Sequence, residues 1–263
     1  MYGAIIGDII GSAFERSGSR IKTKNFELFS KNSKPTDDSY MTVAVAKAIL
    51  LSKGNREKFK VEVVRQMRFV GRAHLDCGFG SNFIKWIESE NMGAYGSIGN
   101  GSAMRVSPVG NYFKDIKTVS EYAKISSEVS HNTEDSIIGA EAVASAVYLA
   151  KNKKSKAEIK CFIEKNYNYN LNKTVDEIRP SYEFNATARG SVSEGIISFL
   201  DAEDFEDAIR NAVSLGGDSD TLAAIAGSVA ENYFGIPPEF IKKANKYFSR
   251  DILEVIFKFY EVI

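Results

Sequence analysis

Cysteine and histidine are scarce in this sequence, with two of each in 263 residues. Cys77 and Cys161 show neither metal-site spacing nor a disulfide framework. With no signal-peptide leader at the start, this usage points to a reducing, cytoplasmic setting. A charge excess is also missing, because 34 Lys and Arg offset 34 Asp and Glu. Charge therefore gives no indication of nucleic acid or a membrane surface as partner. The basic run Lys151-Asn152-Lys153-Lys154-Ser155-Lys156 reads as a solvated helix end. The most apolar stretch, from Gly3 to Phe14, is interrupted by Gly7, Asp8 and Gly11. It is too short to span a bilayer and reads as a buried helix. Internal repeats, low-complexity tracts and Pro/Ser-rich linkers are absent, so residues 1–263 are expected to form one domain.

Alternating Val/Ile/Thr runs of the strand type are few, whereas helical periodicity is frequent. Residues 42–51 form an Ala/Val/Leu run behind a cap expected at Asp38 or Ser39. Residues 57–73 and 118–129 carry apolar side chains at three- and four-residue spacing, and 134–149 is rich in alanine. The pattern continues through 191–200, 205–215, 221–234 and 251–260, and Gly235 with Pro237 supplies a helix stop. Residues 167–183, rich in Asn and Tyr, read as a long loop with short turns. The fold class that follows is all-α.

Two distant segments share a composition. Pro35-Thr36-Asp37-Asp38-Ser39 precedes one helix and Gly216-Gly217-Asp218-Ser219-Asp220-Thr221 another. A single Asp there needs no explanation beyond capping free N–H groups. Adjacent carboxylates repel one another, and capping uses only one or two of their oxygens. If the segments converge, four carboxylates bring about four negative charges, which two divalent cations would offset. Hard oxygen ligands without Cys or His favour Mg²⁺ or Mn²⁺ over Zn²⁺, and Thr36 and Thr221 could add neutral oxygens. Spacing alone leaves capping and a two-metal site both open.

Other candidates are weaker. Glu15 lies just past the apolar N-terminal run, within reach of a cleft, while Asp8 inside that run reads as a hydrogen-bonded structural acid. Gly96-Ser97-Ile98-Gly99-Asn100-Gly101-Ser102 exposes backbone N–H groups and can cradle a phosphate, although most Gly-rich turns are only turns. His131 reads as a hydrogen-bonded cap, and His74 is given no role.

Taken in order, the segments 3–15, 36–42, 99–108, 131–140 and 216–235 resemble the ADP-ribosylglycohydrolase family. The resemblance implies an orthogonal helical bundle and hydrolysis of the bond between ADP-ribose and an acceptor. The acceptor would be an ADP-ribosylated protein side chain, arginine slightly favoured, or a small ADP-ribosyl compound. It implies that Thr36, Asp37, Asp38, Asp218, Asp220 and Thr221 bind two Mg²⁺ ions, with Mn²⁺ as a substitute. It further implies that Asp218 or Glu15 is the catalytic carboxylate, and that Ser97, Gly99, Asn100 and His131 contact substrate. Ser39, Ser219 and Ser130 stand where many members carry Thr, and each keeps a hydroxyl. The competing readings are another two-metal hydrolase, such as a phosphoesterase, and a non-catalytic ADP-ribose binder or structural protein on the same fold. Mutually repelling carboxylates have no purpose in a scaffold, which favours an enzyme.

Overall fold

Isoleucines at 5, 6, 9 and 10 and glycines at 3, 7 and 11 give the N-terminal segment one greasy face and one bare face. In a computed structural model, which describes residues 1–16 and 18–263, this segment is helix α1 (Tyr2–Gly11), buried along its whole length. The bare face lies on α13 (Ser219–Phe234). A Cβ at Gly3, Gly7 or Gly11 would sit 2.0, 2.1 or 2.3 Å from the carbonyl oxygens of Gly227, Ala223 and Ser219. Only glycine permits so close a backbone approach. Gly3 meets the far part of α13 and Gly11 meets its first turn, so the two helices run antiparallel. The 3₁₀ turn Ser12–Phe14 and Glu15 are thereby delivered to the N-terminus of α13.

The remaining helices wrap this pair. They are α2 (Asp37–Ser52), α3 (Arg56–Ala73), α4 (Ser81–Glu88), α5 (Gly101–Met104), α6 (Ser107–Tyr112), α7 (Ile116–Glu128) and α8 (Glu134–Lys151). After them come α9 (Lys156–Tyr167), α10 (Val175–Ile178), α11 (Ala188–Leu200), α12 (Phe205–Ser214), α14 (Pro238–Ala244) and α15 (Arg250–Tyr260). Alanines at 140, 142, 144, 146 and 150 are fully buried in α8, which lies among α5, α6, α7, α11 and α13. Small side chains let that central helix touch so many neighbours. Among the described residues no strand forms; one bridge pairs Gly99 with Thr187. The all-α expectation holds, and no helix of the described residues is long and apolar enough to cross a membrane.

Local differences have identifiable causes. The cap of α2 is Thr36, not Asp38 or Ser39: the Thr36 hydroxyl accepts from the Asp38 N–H at 3.4 Å. Asp37 and Asp38 therefore lie inside the first turn, where the positive helix end favours negative charge. The basic run is the junction of two helices, with Lys151 closing α8 and Ser155 forming a capping box with Glu158 at the start of α9. Of residues 167–183, Tyr167 ends α9 and the rest is loop that holds the short α10.

Candidate active site

Asp8 sets the geometry. It is wholly buried on α1, and its carboxylate accepts from the Thr36 N–H at 2.9 Å and the Thr36 hydroxyl at 2.6 Å. It also accepts from the Ser39 N–H at 3.1 Å and from the Ser39 hydroxyl. Burial pushes its pKa up to about 6 even against these four donors. Asp8 thus acts as the structural acid that the sequence suggests, and it pins the start of α2 beside the start of α13.

The two acidic segments consequently meet. Ligand oxygens of Asp8, Asp38 and Asp220 lie within 4.8 Å of one another, and so do those of Glu15, Asp218 and Asp220. Asp38 Oδ2 accepts from the Thr221 hydroxyl at 3.3 Å, whereas Asp38 Oδ1 is buried without a hydrogen-bond partner. Asp218 occupies the N-cap position of α13 but makes no capping bond; its Oδ2 accepts from Asn100 Nδ2 at 2.6 Å. Capping therefore does not account for the Asp218 carboxylate. Asp220 Oδ1 accepts from the Thr221 N–H at 2.9 Å.

Burial, and the charge concentrated here, shift Asp8, Asp37, Asp38, Asp218 and Asp220 in one direction. Burial and then the charges of Asp8, Asp218 and Glu15 push Asp37 up to about 7. Burial and Glu15 push Asp218 up to about 6, opposed by the Asn100 hydrogen bond. Asp38 and Asp220 are pushed well above the carboxylate range, by burial first and by their acidic neighbours second. Crowded carboxylates with an orphaned buried oxygen form a donor set that a hard cation satisfies. The residues fit such an ion.

The acids floor a cleft of about 560 Å³, in the roughly 300–1,000 Å³ range of small-molecule sites and far larger than an ion needs. Glu15, Asp37, Asp38, Asp218, Asp220 and Thr221 all line it. Thr36 does not, since its hydroxyl is turned toward Asp8. Ser97, Gly99, Asn100 and His131 also line the cleft. The Ser97 hydroxyl accepts from the Gly99 N–H at 3.2 Å, and the Ser97 carbonyl is held by the Thr133 and Ser136 hydroxyls at 2.9 and 2.8 Å. Asn100 anchors the loop to the acids: its backbone N–H donates to Ala186 at 2.9 Å, and its side chain bridges Asp218 and Ser191. His131 is buried, and burial followed by the Arg105 charge holds its pKa well below the usual value.

Several wall residues were missed by sequence reasoning. Gly78, Gly80, Ser81, Asn82 and Phe83 line the cleft, as do Tyr95, Phe184 and Ala186. A Gly-Phe-Gly-Ser start ahead of the amphipathic α4 was the available signal. Arg105, fully buried and lining the same cleft, had no local signal at all.

With this geometry in view, comparisons with known proteins are informative. The model of the family described as ADP-ribosylglycohydrolase matches residues 1–262. ADP-ribosylhydrolase ARH3 of Homo sapiens is 24% identical over 326 residues, covering 96% of this chain and 90% of that protein. ADP-ribosylarginine hydrolase Tri1 of Pseudomonas putida is 24% identical over 156 residues, covering 56% and 42%. A solved structure titled ADP-ribosylglycohydrolase-related protein complex superposes with a TM-score of 0.72 at 19% identity, covering 99% of this chain and 95% of that one, a likeness of fold. The chain belongs to the ADP-ribosylglycohydrolase family and is a hydrolase of that family.

Proposed function

We propose that the protein removes ADP-ribose from an ADP-ribosylated acceptor, using two Mg²⁺ ions held by Asp37, Asp38, Asp218, Asp220 and Thr221, with Thr36 positioning the first pair. Mn²⁺ is an acceptable substitute for the same oxygen donors. The observation that carries this reading is the meeting of the two acidic segments, with the orphaned Asp38 Oδ1 between them, on the floor of a cleft of nucleotide size. When bound, the ions would hold ribose hydroxyls and would orient and acidify the attacking water. The substrate is read as lying with its ribose over the acids and its diphosphate along the Ser97-Ile98-Gly99-Asn100 loop, whose backbone N–H groups suit phosphate oxygens.

Glu15 is the better candidate for the general base. Its carboxylate has no hydrogen-bond partner among the described residues, is partly exposed and lines the cleft, whereas one oxygen of Asp218 is engaged by Asn100. Proton abstraction from a water at the anomeric carbon needs such an unengaged oxygen. A reducing, cytoplasmic setting suits the two free thiols, Cys77 and Cys161.

The test is a substrate panel: arginine-linked, serine-linked and DNA-linked ADP-ribose, each with Mg²⁺, with Mn²⁺ and with EDTA. Release of ADP-ribose that EDTA abolishes is expected from at least one linkage, arginine or serine before DNA. Release that survives EDTA defeats the metal assignment. Release of AMP in place of ADP-ribose, by hydrolysis of the diphosphate, returns the phosphoesterase reading.

A further inference from the structure

Arg105 is a cation with no exposed surface, and it does not face the acids of the cleft floor through any ion pair among the described residues. Its Nη2 donates to the Ser126 carbonyl at 3.0 Å and to the Ser130 hydroxyl at 2.9 Å. Ser130 is itself fully buried, and its Oγ lies 2.8 Å from His131 Nδ1. These are the only two partners of that hydroxyl among the described residues.

The donor directions then follow from chemistry. A guanidinium can only donate, so Ser130 Oγ accepts from Arg105. The hydroxyl hydrogen is left with one acceptor, His131 Nδ1. The reverse arrangement, Nδ1–H donating to Ser130, would strand the buried hydroxyl hydrogen without a protein acceptor among the described residues. Leaving a buried donor unpaired disfavours that arrangement by about tenfold or more in population.

We propose that Ser130, oriented by Arg105, is a positioning residue that locks His131 in the Nε2–H tautomer, so that the ring presents a fixed hydrogen-bond donor to the cleft. Nε2 has no protein partner among the described residues and lies against the Gly-rich loop. It is 2.9 Å from where a Cβ at Gly101 would stand and 3.7 Å from that of Gly99. Tyr95 and Phe83 flank the ring, with centroids 5.8 and 6.1 Å away. A locked donor pairs with an acceptor oxygen, from a phosphate or a sugar hydroxyl, and cannot serve as a base. The lock itself is independent of substrate; its use toward a phosphate or ribose oxygen rests on the ADP-ribosyl reading above.

With only two histidines in the chain, nitrogen NMR on untagged protein labelled with ¹⁵N-histidine reads the lock directly, and H74Q assigns the signals. At neutral pH His131 should show an unprotonated Nδ1 and a protonated Nε2. Protonation on Nδ1, or averaged signals from both tautomers, would overturn the proposal, and the wild-type spectrum alone decides this. Ser130→Ala and Arg105→Gln should each shift the signals toward the average, and Ser130→Thr should restore the wild-type pattern. An unchanged pattern in Ser130→Ala or Arg105→Gln removes that residue from the relay. Added ADP-ribose should perturb the Nε2–H signal specifically. Binding of ADP-ribose without that perturbation removes the donor role, whereas failure to bind defeats the ADP-ribosyl reading and leaves the lock standing.

Discussion

Replacing Asp218 by Asn should stabilise the metal-free protein while crippling its response to Mg²⁺. Asparagine is isosteric and can still accept the 2.6 Å hydrogen bond from Asn100 with its Oδ1, so the exchange removes charge more than contact. In the folded protein burial and Glu15 move this carboxyl from 3.8 up to about 6. Holding it ionised at pH 7.5 therefore costs about 3 kcal/mol, at roughly 1.36 kcal/mol for each tenfold change in acidity. A chain of this size gains about 2–4 °C in melting temperature per kcal/mol, so metal-free Asp218→Asn should melt up to about 6–12 °C above wild type. The pH dependence has a definite sign. The raised folded pKa means that the folded state binds protons more tightly than the unfolded state, so wild-type stability falls as pH rises from 3.8 to about 6. The gap between variant and wild type should thus vanish near pH 4 and be complete above pH 6. Saturating metal favours wild type instead: at one hundred times its dissociation constant, Mg²⁺ adds about 2.7 kcal/mol to wild type, nearly cancelling the variant's lead. Differential scanning fluorimetry across pH, with EDTA and with Mg²⁺, measures all of this. A variant that melts below wild type in EDTA at pH 7.5, or that gains as much from Mg²⁺, would refute the reasoning.

Asp8 should behave in the opposite way. Asp8→Ala leaves the Thr36 and Ser39 donors without their acceptor, so about 1–3 kcal/mol of stability should be lost in urea unfolding, together with Mg²⁺ affinity. An Asp8→Ala protein as stable as wild type would show that the four bonds do not hold the α2 start. Gly7→Ala puts a methyl 2.1 Å from the Ala223 carbonyl oxygen. It should cost at least about 1–3 kcal/mol by overpacking and lower Mg²⁺ affinity as α1 lifts from α13; wild-type values for both would break the link between that helix contact and the site. Glu15→Gln should slow ADP-ribose release by about 10²-fold or more with Mg²⁺ binding retained, on the usual contribution of a general base. A near-normal rate would return the base assignment to Asp218.

Much of the fold was legible because its signals are local. Periodicity located α2, α3, α7, α8, α11, α12, α13 and α15 to within a few residues, and Gly235 ends α13 where the stop was expected. The acids were legible as pairs, because adjacent carboxylates carry a charge cost that capping does not explain. What local signals could not supply is convergence. The bonds from Asp8 to Thr36 and Ser39, the Asn100–Asp218 bond and the Arg105–Ser130–His131 chain join residues from different helices and loops. None of them leaves a periodic trace. The Thr36 cap was missed for a related reason. A hydroxyl can serve several partners, and the sequence does not say that Thr36 both caps α2 and donates to Asp8. Helix α4, at eight residues, lacked the length that makes periodicity persuasive, and with it went the lining residues Ser81, Asn82 and Phe83.

The central claim is that residues 37–38 and 218–221, distant in sequence, hold divalent ions together in one site. Diffraction from crystals soaked in Mn²⁺, recorded at a wavelength where manganese scatters anomalously, tests it most directly. Two anomalous peaks are expected among Asp37, Asp38, Asp218, Asp220 and Thr221, both lost in Asp218→Asn,Asp38→Asn protein. No peak there at saturating Mn²⁺, or peaks bound only to surface carboxylates, would contradict the account.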